Sequence, residues 1–324
     1  MNSIQDLQKI FSESLSRQDL SGYPPELYGP ITYTLSHGGK RLRPVLVLAA
    51  CDLFNGNVQK AISPAIGIEL FHNFTLLHDD IMDQAPLRRG KSTVHEKWNA
   101  NIAILSGDTL FALAYRHLLH CDQEILPAVL EVFTRTAIEV CEGQQLDMNF
   151  EDQSDITIQD YLGMIRLKTA ALFAGSLNIG SLIGGAGPED ARCLYACGLN
   201  MGMAFQLQDD LLDIYNDEAL FGKKTGGDIV ANKKTYLYLK ALEEAGESDR
   251  TDLLNLFRVQ MADPAGKVAR ITEIYSRLSI KDLTFEVMKE YYAKALKDLE
   301  MVGVKDENKA VLESLIRGMM QREF

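Results

Sequence analysis

No stretch of this chain is apolar for long enough to cross a bilayer: runs such as "PVLVLAAC" (residues 44–51) fall far short of the roughly 20 residues a spanning helix needs. The opening "MNSIQDLQKIFSESLSRQ" mixes polar and apolar residues and lacks the apolar core of a signal peptide, so a cytoplasmic protein is expected. Cysteine is scarce and unpatterned. Cys51, Cys121, Cys141, Cys193 and Cys197 are odd in number and form no CxxC pair, which reads as reduced packing residues rather than a disulfide framework. Cys193 and Cys197 have i, i+4 spacing, but no histidine or second cysteine pair accompanies them, so packing is preferred to metal binding. Positive charge is also in deficit. With 33 Lys and Arg against 45 Asp and Glu, the formal net charge is −12, which argues against nucleic acid or an anionic membrane as the main partner. An anionic substrate would have to be brought in by metal ions or by a local cluster of cations. Sustained strand-type alternation, Pro/Ser-rich linkers and low-complexity runs are missing too, so the expected architecture is one all-α domain over residues 1–324 with about ten or more helices.

What is present is helical periodicity on an ordinary globular composition, 46% hydrophobic and 24% charged. "SGDTLFALAYRHLLHC", "ILPAVLEVFTRTAIEVCEGQQLD", "KTAALFAGSLNIGSLIGG" and "CLYACGLNMGMAFQLQDDLLDIYN" all place apolar residues at i, i+3, i+4. Ser63 followed by Pro64 predicts one helix start, and Pro188 followed by Glu189 and Asp190 predicts another. Gly184, Gly185 and Gly187 predict the end of the helix before it. The two helices so begun share an ending. The first runs into "HDDIMD" and a basic loop with Arg88 and Arg89; the second runs into "QDDLLD" and then "FGKKTGGD", with Lys223 and Lys224.

On a helix, Asp79 shares a face with Asp83, and Asp209 with Asp213. One such cluster would be unremarkable on a solvated face. Two with the same spacing, each embedded in apolar residues (Phe74, Leu76, Leu77, Ile81, Met82; Phe205, Leu207, Leu211, Leu212), predict carboxylates lining a cavity, where they need cations. Hard divalent ions fit oxygen ligands of this kind. Mg2+ in particular takes one or two carboxylates, several waters and a substrate's phosphate oxygens. Arg88, Arg89, Lys223 and Lys224 then fit as direct phosphate ligands, so aspartates and cations bind the same polyanion.

At this point the chain resembles the trans (all-E) isoprenyl diphosphate synthases. The resemblance runs through "GGKRLRP" (38–44), "HNFTLLHDDIMDQAPLRRGKSTVH" (72–95), "GQQLD" (143–147), "KTAAL" (168–172), "FQLQDDLLDIYND" (205–217) and "FGKKTGGDIVANKKT" (221–235). It implies a helical bundle of the isoprenoid synthase type around a central active-site cavity, joining isopentenyl diphosphate to an allylic diphosphate. It implies Mg2+, usually three ions, held by Asp79, Asp80, Asp83, Asp209, Asp210 and Asp213. Of these Asp79, Asp83 and Asp209 are expected as direct ligands, while Asp80, Asp210 and Asp213 act through water or hold lysines. Lys40, Arg43 and Arg89, with His72 nearby, match residues on the diphosphate of isopentenyl diphosphate. Arg88, Lys168 and Lys223 match residues on the allylic diphosphate, and Lys233 a further diphosphate contact. Thr169 and Gln206 match residues beside the reacting carbon, and Asp108 and Asp147 look like supporting acids. The same resemblance implies a homodimer.

Product length turns on Phe74 and Thr75. The wheel puts Phe74 about 140° from Asp79 and Thr75 about 40° from it, so geometry nominates Thr75. Resemblance nominates Phe74, the fifth residue before the first motif, and points to a geranylgeranyl (C20) product with farnesyl (C15) second. The rivals are a terpene cyclase or head-to-head synthase, disfavoured because "DDLLD" and "GGKRLRP" are both present, and a silent regulatory subunit, disfavoured because all six aspartates are retained.

Overall fold

A computed structural model describes residues 2–215, 225–258 and 263–321. Apart from one two-stranded hairpin, in which Leu87 lies opposite Ser92 and Arg88 opposite Lys91, the described elements are helical, as the periodicity predicts. In order they are α1 (Ile4–Ser16), α2 (Pro25–Leu35), α3 (Leu42–Leu53), α4 (Val58–Met82), α5 (Val94–Lys97), α6 (Ala100–Leu118), α7 (Leu126–Asp152), α8 (Ile158–Ile165), a π-helical turn (Arg166–Ala170), α9 (Ala171–Gly184) and α10 (Pro188–Tyr215). Helices Gly227–Val230, Tyr236–Glu244, Glu247–Arg258, Pro264–Arg277, Ile280–Glu300 and Asp306–Met320 follow. None among the described residues is long and apolar enough to cross a membrane.

The chain forms two compact units, each assembled from separated stretches. One comprises Met1–Thr134, Gly175–Leu194 and Val302–Leu312; the other comprises Arg135–Ala174, Tyr195–Met301 and Glu313–Phe324. The core of the first is α3, buried on every side from Pro44 to Leu53, as expected of a helix apolar all round. Beside it an aromatic cluster joins Phe71 to Phe74, Phe111 and Phe133, with ring centroids 5.2–5.5 Å apart. The second unit is centred on fully buried Phe173, Tyr275, Tyr292 and Met288. No disulfide links the cysteines; Cys51, Cys121 and Cys197 are buried and Cys141 is exposed.

Helix α10 begins at Pro188 with an acidic first turn, and α9 ends at Gly184 before Gly185 at φ 86°, both as predicted. The start of α4 is different. It lies at Val58, where the Asn57 side chain accepts from the Gln59 amide, and Pro64 sits inside the helix. Proline within the second turn costs one backbone bond, which a long buried helix tolerates. Ser63, freed from capping, donates instead to the carbonyl of His117 and meets its Nδ1 at 3.0 Å. Burial, aided by His120 and Arg116, lowers the pKa of His117 to about 4. A depressed histidine lets the unfolded chain bind the extra proton first. Stability is therefore expected to be complete above about pH 6.5 and to fall by up to about 3 kcal/mol as the pH drops towards 4. His117→Gln should flatten that part of a urea-denaturation pH series; an unchanged slope would assign the acid sensitivity elsewhere.

Candidate active site

Three aspartates at the C-terminal end of α4 face the negative end of the helix dipole, an arrangement that destabilises the helix unless the charges are used. The structure separates them. Asp80 is only 6% exposed and accepts from Arg88 Nε at 2.7 Å, while burial raises its pKa against that arginine's pull. Asp79 is half-buried and Asp83, the C-cap, is exposed one turn on. The inner carboxylate thus anchors the hairpin that carries the basic pair, and the outer two remain accessible. Asp80 holds an arginine, where a contact through water or a lysine was expected.

In the same unit the loop before α3 is shaped for close approach. Gly39 adopts φ 134°, and a Cβ there would lie 2.6 Å from the guanidinium of Arg89, which donates to the carbonyl of Gly38. Arg43 Nη1 lies 3.2 Å from His72 Nε2. A guanidinium only donates, so this nitrogen accepts and the imidazole is neutral. Burial and the surrounding Arg43, Arg89, Arg88 and Arg41 keep its pKa well below the usual range. The structure therefore brings Arg43, His72 and Arg89 to the loop that carries Lys40. Arg41, at φ 47°, turns the other way: it pairs with buried Glu69 and donates to Leu35 O at 2.6 Å, and Asn73 also donates to Glu69. This clamp fixes the backbone between Lys40 and Arg43. Glu69→Ala would leave the largely enclosed Arg41 charge, its side chain 11% exposed, without its carboxylate, and thermal denaturation should show a loss of about 3 kcal/mol; a change below about 1 kcal/mol would mean the clamp does not hold the loop.

The second unit contains a cavity of about 110 Å3 whose lining includes Lys168, Thr169, Gln206, Asp210, Asp228 and Lys233. Lys168 and Thr169 occupy the π turn, closed by the Ala171 amide on Arg166 O, a local widening common at functional sites. Close packing accompanies it: a Cβ on Gly143 would run into the backbone of Lys168, so only glycine fits there. Asp147 ion-pairs with Lys168, and Asp108 is exposed and lies 3.9 Å from His78. Thr169 Oγ1 donates to Gln206 Oε1 at 2.8 Å, Gln206 Nε2 donates to Asp210 Oδ1 at 3.0 Å, and the Tyr161 hydroxyl donates to Asp210 Oδ2 at 2.6 Å. Asp210 is 3% exposed; burial with Asp228 nearby raises its pKa, while the hydrogen bonds from Tyr161 and Gln206 pull the other way and favour the carboxylate. Asp209 is exposed, and Asp213 accepts from the Asp228 amide at 3.0 Å. Lys233 and Lys234 both line the cavity, but Lys234 is spent on the end of α7, donating to Phe150 O at 2.7 Å, Glu151 O at 3.0 Å and Gln153 O. Lys223 and Lys224 lie outside the described residues.

Phe74 stacks on Phe111 at 5.0 Å and 12° and contacts His78 at 4.7 Å; Thr75 Oγ1 donates to His72 O. Sequence reading missed Tyr161, Asp228 and the Arg41–Glu69 clamp. Asp228 stands inside a quoted motif but has no carboxylate one turn away, and Tyr161 stands two turns before Lys168, the one local hint it gives.

Among the described residues no three histidine, cysteine, aspartate or glutamate side chains converge as a ready-made metal cage. The donors instead fit a hard cation that takes few protein ligands: Asp79 with Asp83, and Asp209 with Asp213, are oxygen pairs at i, i+4 and at least partly accessible, while Asp80 and Asp210 are buried and already bonded.

Residues 24–275 match the polyprenyl synthetase family. The chain is 38% identical over 311 residues to geranylgeranyl diphosphate synthase of Sulfolobus acidocaldarius, covering 95% of this chain and 91% of that one. It is also 38% identical over 261 residues to geranylfarnesyl diphosphate synthase of Natronomonas pharaonis, covering 75% and 76%. A crystal structure of a geranylgeranyl pyrophosphate synthase superposes with a TM-score of 0.95 at 40% identity, covering 100% of both chains. With helical fold, motifs and family in agreement, the chain belongs to the polyprenyl synthetase family of prenyltransferases and is an isoprenyl diphosphate synthase.

Proposed function

We propose that this enzyme joins isopentenyl diphosphate head-to-tail to an allylic diphosphate and stops at geranylgeranyl diphosphate, with farnesyl diphosphate as the second choice of product. The observation that carries the reading is the second unit's cavity, which combines diphosphate-binding ammoniums, Lys168 and Lys233, with uncharged oxygens on Thr169 and Gln206. Mg2+, three ions by the family pattern, is assigned to the aspartate pairs, with Asp79, Asp83 and Asp209 as direct ligands, and when bound supplies charge neutralisation of the leaving diphosphate. Arg88, Lys168, Lys223 and Lys233 bind the allylic diphosphate. Lys40, Arg43, His72 and Arg89 bind that of isopentenyl diphosphate, the neutral imidazole sparing the cluster one more positive charge.

Breaking the allylic C–O bond leaves a carbocation, which Thr169 and Gln206 stabilise through their oxygen dipoles. The terminal alkene carbon of isopentenyl diphosphate attacks it, and the proton lost from the adjoining position goes to the departing diphosphate. Purified protein with labelled isopentenyl diphosphate and an allylic primer should release C20 prenyl diphosphate, lose turnover in excess chelator and regain it with Mg2+. Full turnover in chelator, or no elongation of any allylic primer, would remove the reading. Lys40→Ala and Arg89→Ala should mainly raise KM for isopentenyl diphosphate, and Lys223→Ala that for the allylic substrate; equal effects on both would collapse the two-site assignment. We further propose a homodimer, supported by exposed Ile104 (43%) and Leu105 (58%) on α6 and Leu119 (57%) at its C-cap.

A further inference from the structure

Among groups outside the proposed ligand set, Tyr161 is the one most directly wired to the reacting centre. Its hydroxyl is buried and donates to Asp210 Oδ2 at 2.6 Å. Burial, then the neighbouring Asp210, holds its pKa far above the ordinary tyrosine range, so it keeps its proton to give. The other carboxylate oxygen takes the Gln206 amide nitrogen at 3.0 Å. Both oxygens of Asp210 are thus occupied by protein donors, and the carboxylate lies 97% out of solvent's reach, given its 3% exposure.

The consequence passes along the chain of bonds. An amide has its donors on nitrogen and its acceptor on oxygen. With Nε2 committed to Asp210, Gln206 must present Oε1 to Thr169, and the single hydroxyl proton of Thr169 is spent on Oε1 at 2.8 Å. Thr169 Oγ1 is left with lone pairs, and no proton, for the cavity it lines. The opposite order, with the amide flipped, would set its oxygen against the carboxylate and turn the threonine proton outward. A developing cation is stabilised by the first arrangement and repelled by the second.

We propose that Asp210, gripped by Tyr161, is a positioning residue that sets the proton order Tyr161→Asp210←Gln206←Thr169, so that two oxygens face the allylic carbon as it ionises. This rests on the proposed prenyl transfer and assigns Asp210 to orientation instead of metal binding. The prediction concerns kcat. Tyr161→Phe removes one hydroxyl and should lower kcat about tenfold, with both substrate KM values and the Mg2+ half-saturation within about twofold of wild type. Asp210→Asn, whose own amide lets Gln206 flip, should lower kcat about a hundredfold with the same unchanged KM values.

Steady-state kinetics with isopentenyl and farnesyl diphosphates across an Mg2+ titration reads all of these. A wild-type kcat in Tyr161→Phe, or a loss in Asp210→Asn that is restored by raising Mg2+, overturns the proposal. Should Asp210→Asn not fold, Tyr161→Phe alone decides. Inactive wild-type enzyme would instead sink the prenyl-transfer reading itself.

Discussion

Asp79→Ala and Asp209→Ala should each cut kcat by at least about a thousandfold, a loss of roughly 4 kcal/mol of transition-state stabilisation, and leave the fold intact. The two halves of that expectation come from one feature. Asp209 is exposed and Asp79 half-buried, so removing either carboxylate disturbs little packing, and stability should change by less than about 1 kcal/mol. In the proposed reading, their value lies in the diphosphate that they would hold through a cation. Asp80→Ala is the contrasting case: it removes a 6% exposed carboxylate from Arg88 and should lower the melting temperature, displacing the basic hairpin as well. Activity, Mg2+ half-saturation and thermal unfolding measured on the three variants separate the roles. If Asp79→Ala or Asp209→Ala turns over near the wild-type rate with normal metal dependence, the site has been put in the wrong place.

The difference between the inner and outer aspartates marks how far local pattern reaches. That Asp79 and Asp83 share a face follows from a 3.6-residue period, and the helices bearing both motifs are visible in the same way. That Asp80 and Asp210 turn inward depends on partners supplied from elsewhere, Arg88 on a hairpin and Tyr161 49 residues upstream of Asp210. Likewise Arg41 reads as one more cation in "GGKRLRP", yet its partner Glu69 lies 28 residues on and converts it into a clamp. The Ser63–Pro64 start failed for a related reason. A local rule about proline was outweighed by burial of a helix running from Val58 to Met82, and Ser63 found its bond on α6. Residue types in sequence order reveal which chemistry is present; which members of a cluster perform it is decided by long-range contacts.

Phe74→Ala should lengthen the product by one isoprene unit or more, with only a modest fall in kcat. Five residues before Asp79 on one helix, Phe74 lies about 7.5 Å from that carboxylate along the axis, on the side into which the prenyl tail of the proposed reaction would extend. The helical wheel alone favoured Thr75, but Thr75 spends its hydroxyl on His72 O at 2.8 Å, whereas the half-buried ring of Phe74 is braced from behind. Phe111 stacks on it at 5.0 Å and 12°, and Phe71 lies 5.5 Å away. A braced ring cannot swing aside, so it can act as a floor. The bracing also predicts a graded response. With Phe74 gone the Phe111 ring still stands behind the gap, so the single variant should stop near C25 and Phe74→Ala/Phe111→Ala should run longer. Thr75→Phe should raise the floor towards the carboxylates and shift the product to C15. Loss of the Phe74 ring should cost about 2–4 kcal/mol of stability, so the assays belong well below the melting transition. Product chain lengths read by mass spectrometry decide the matter: distributions unchanged in both Phe74→Ala and Thr75→Phe would move the floor to another helix and remove the basis for the C20 assignment.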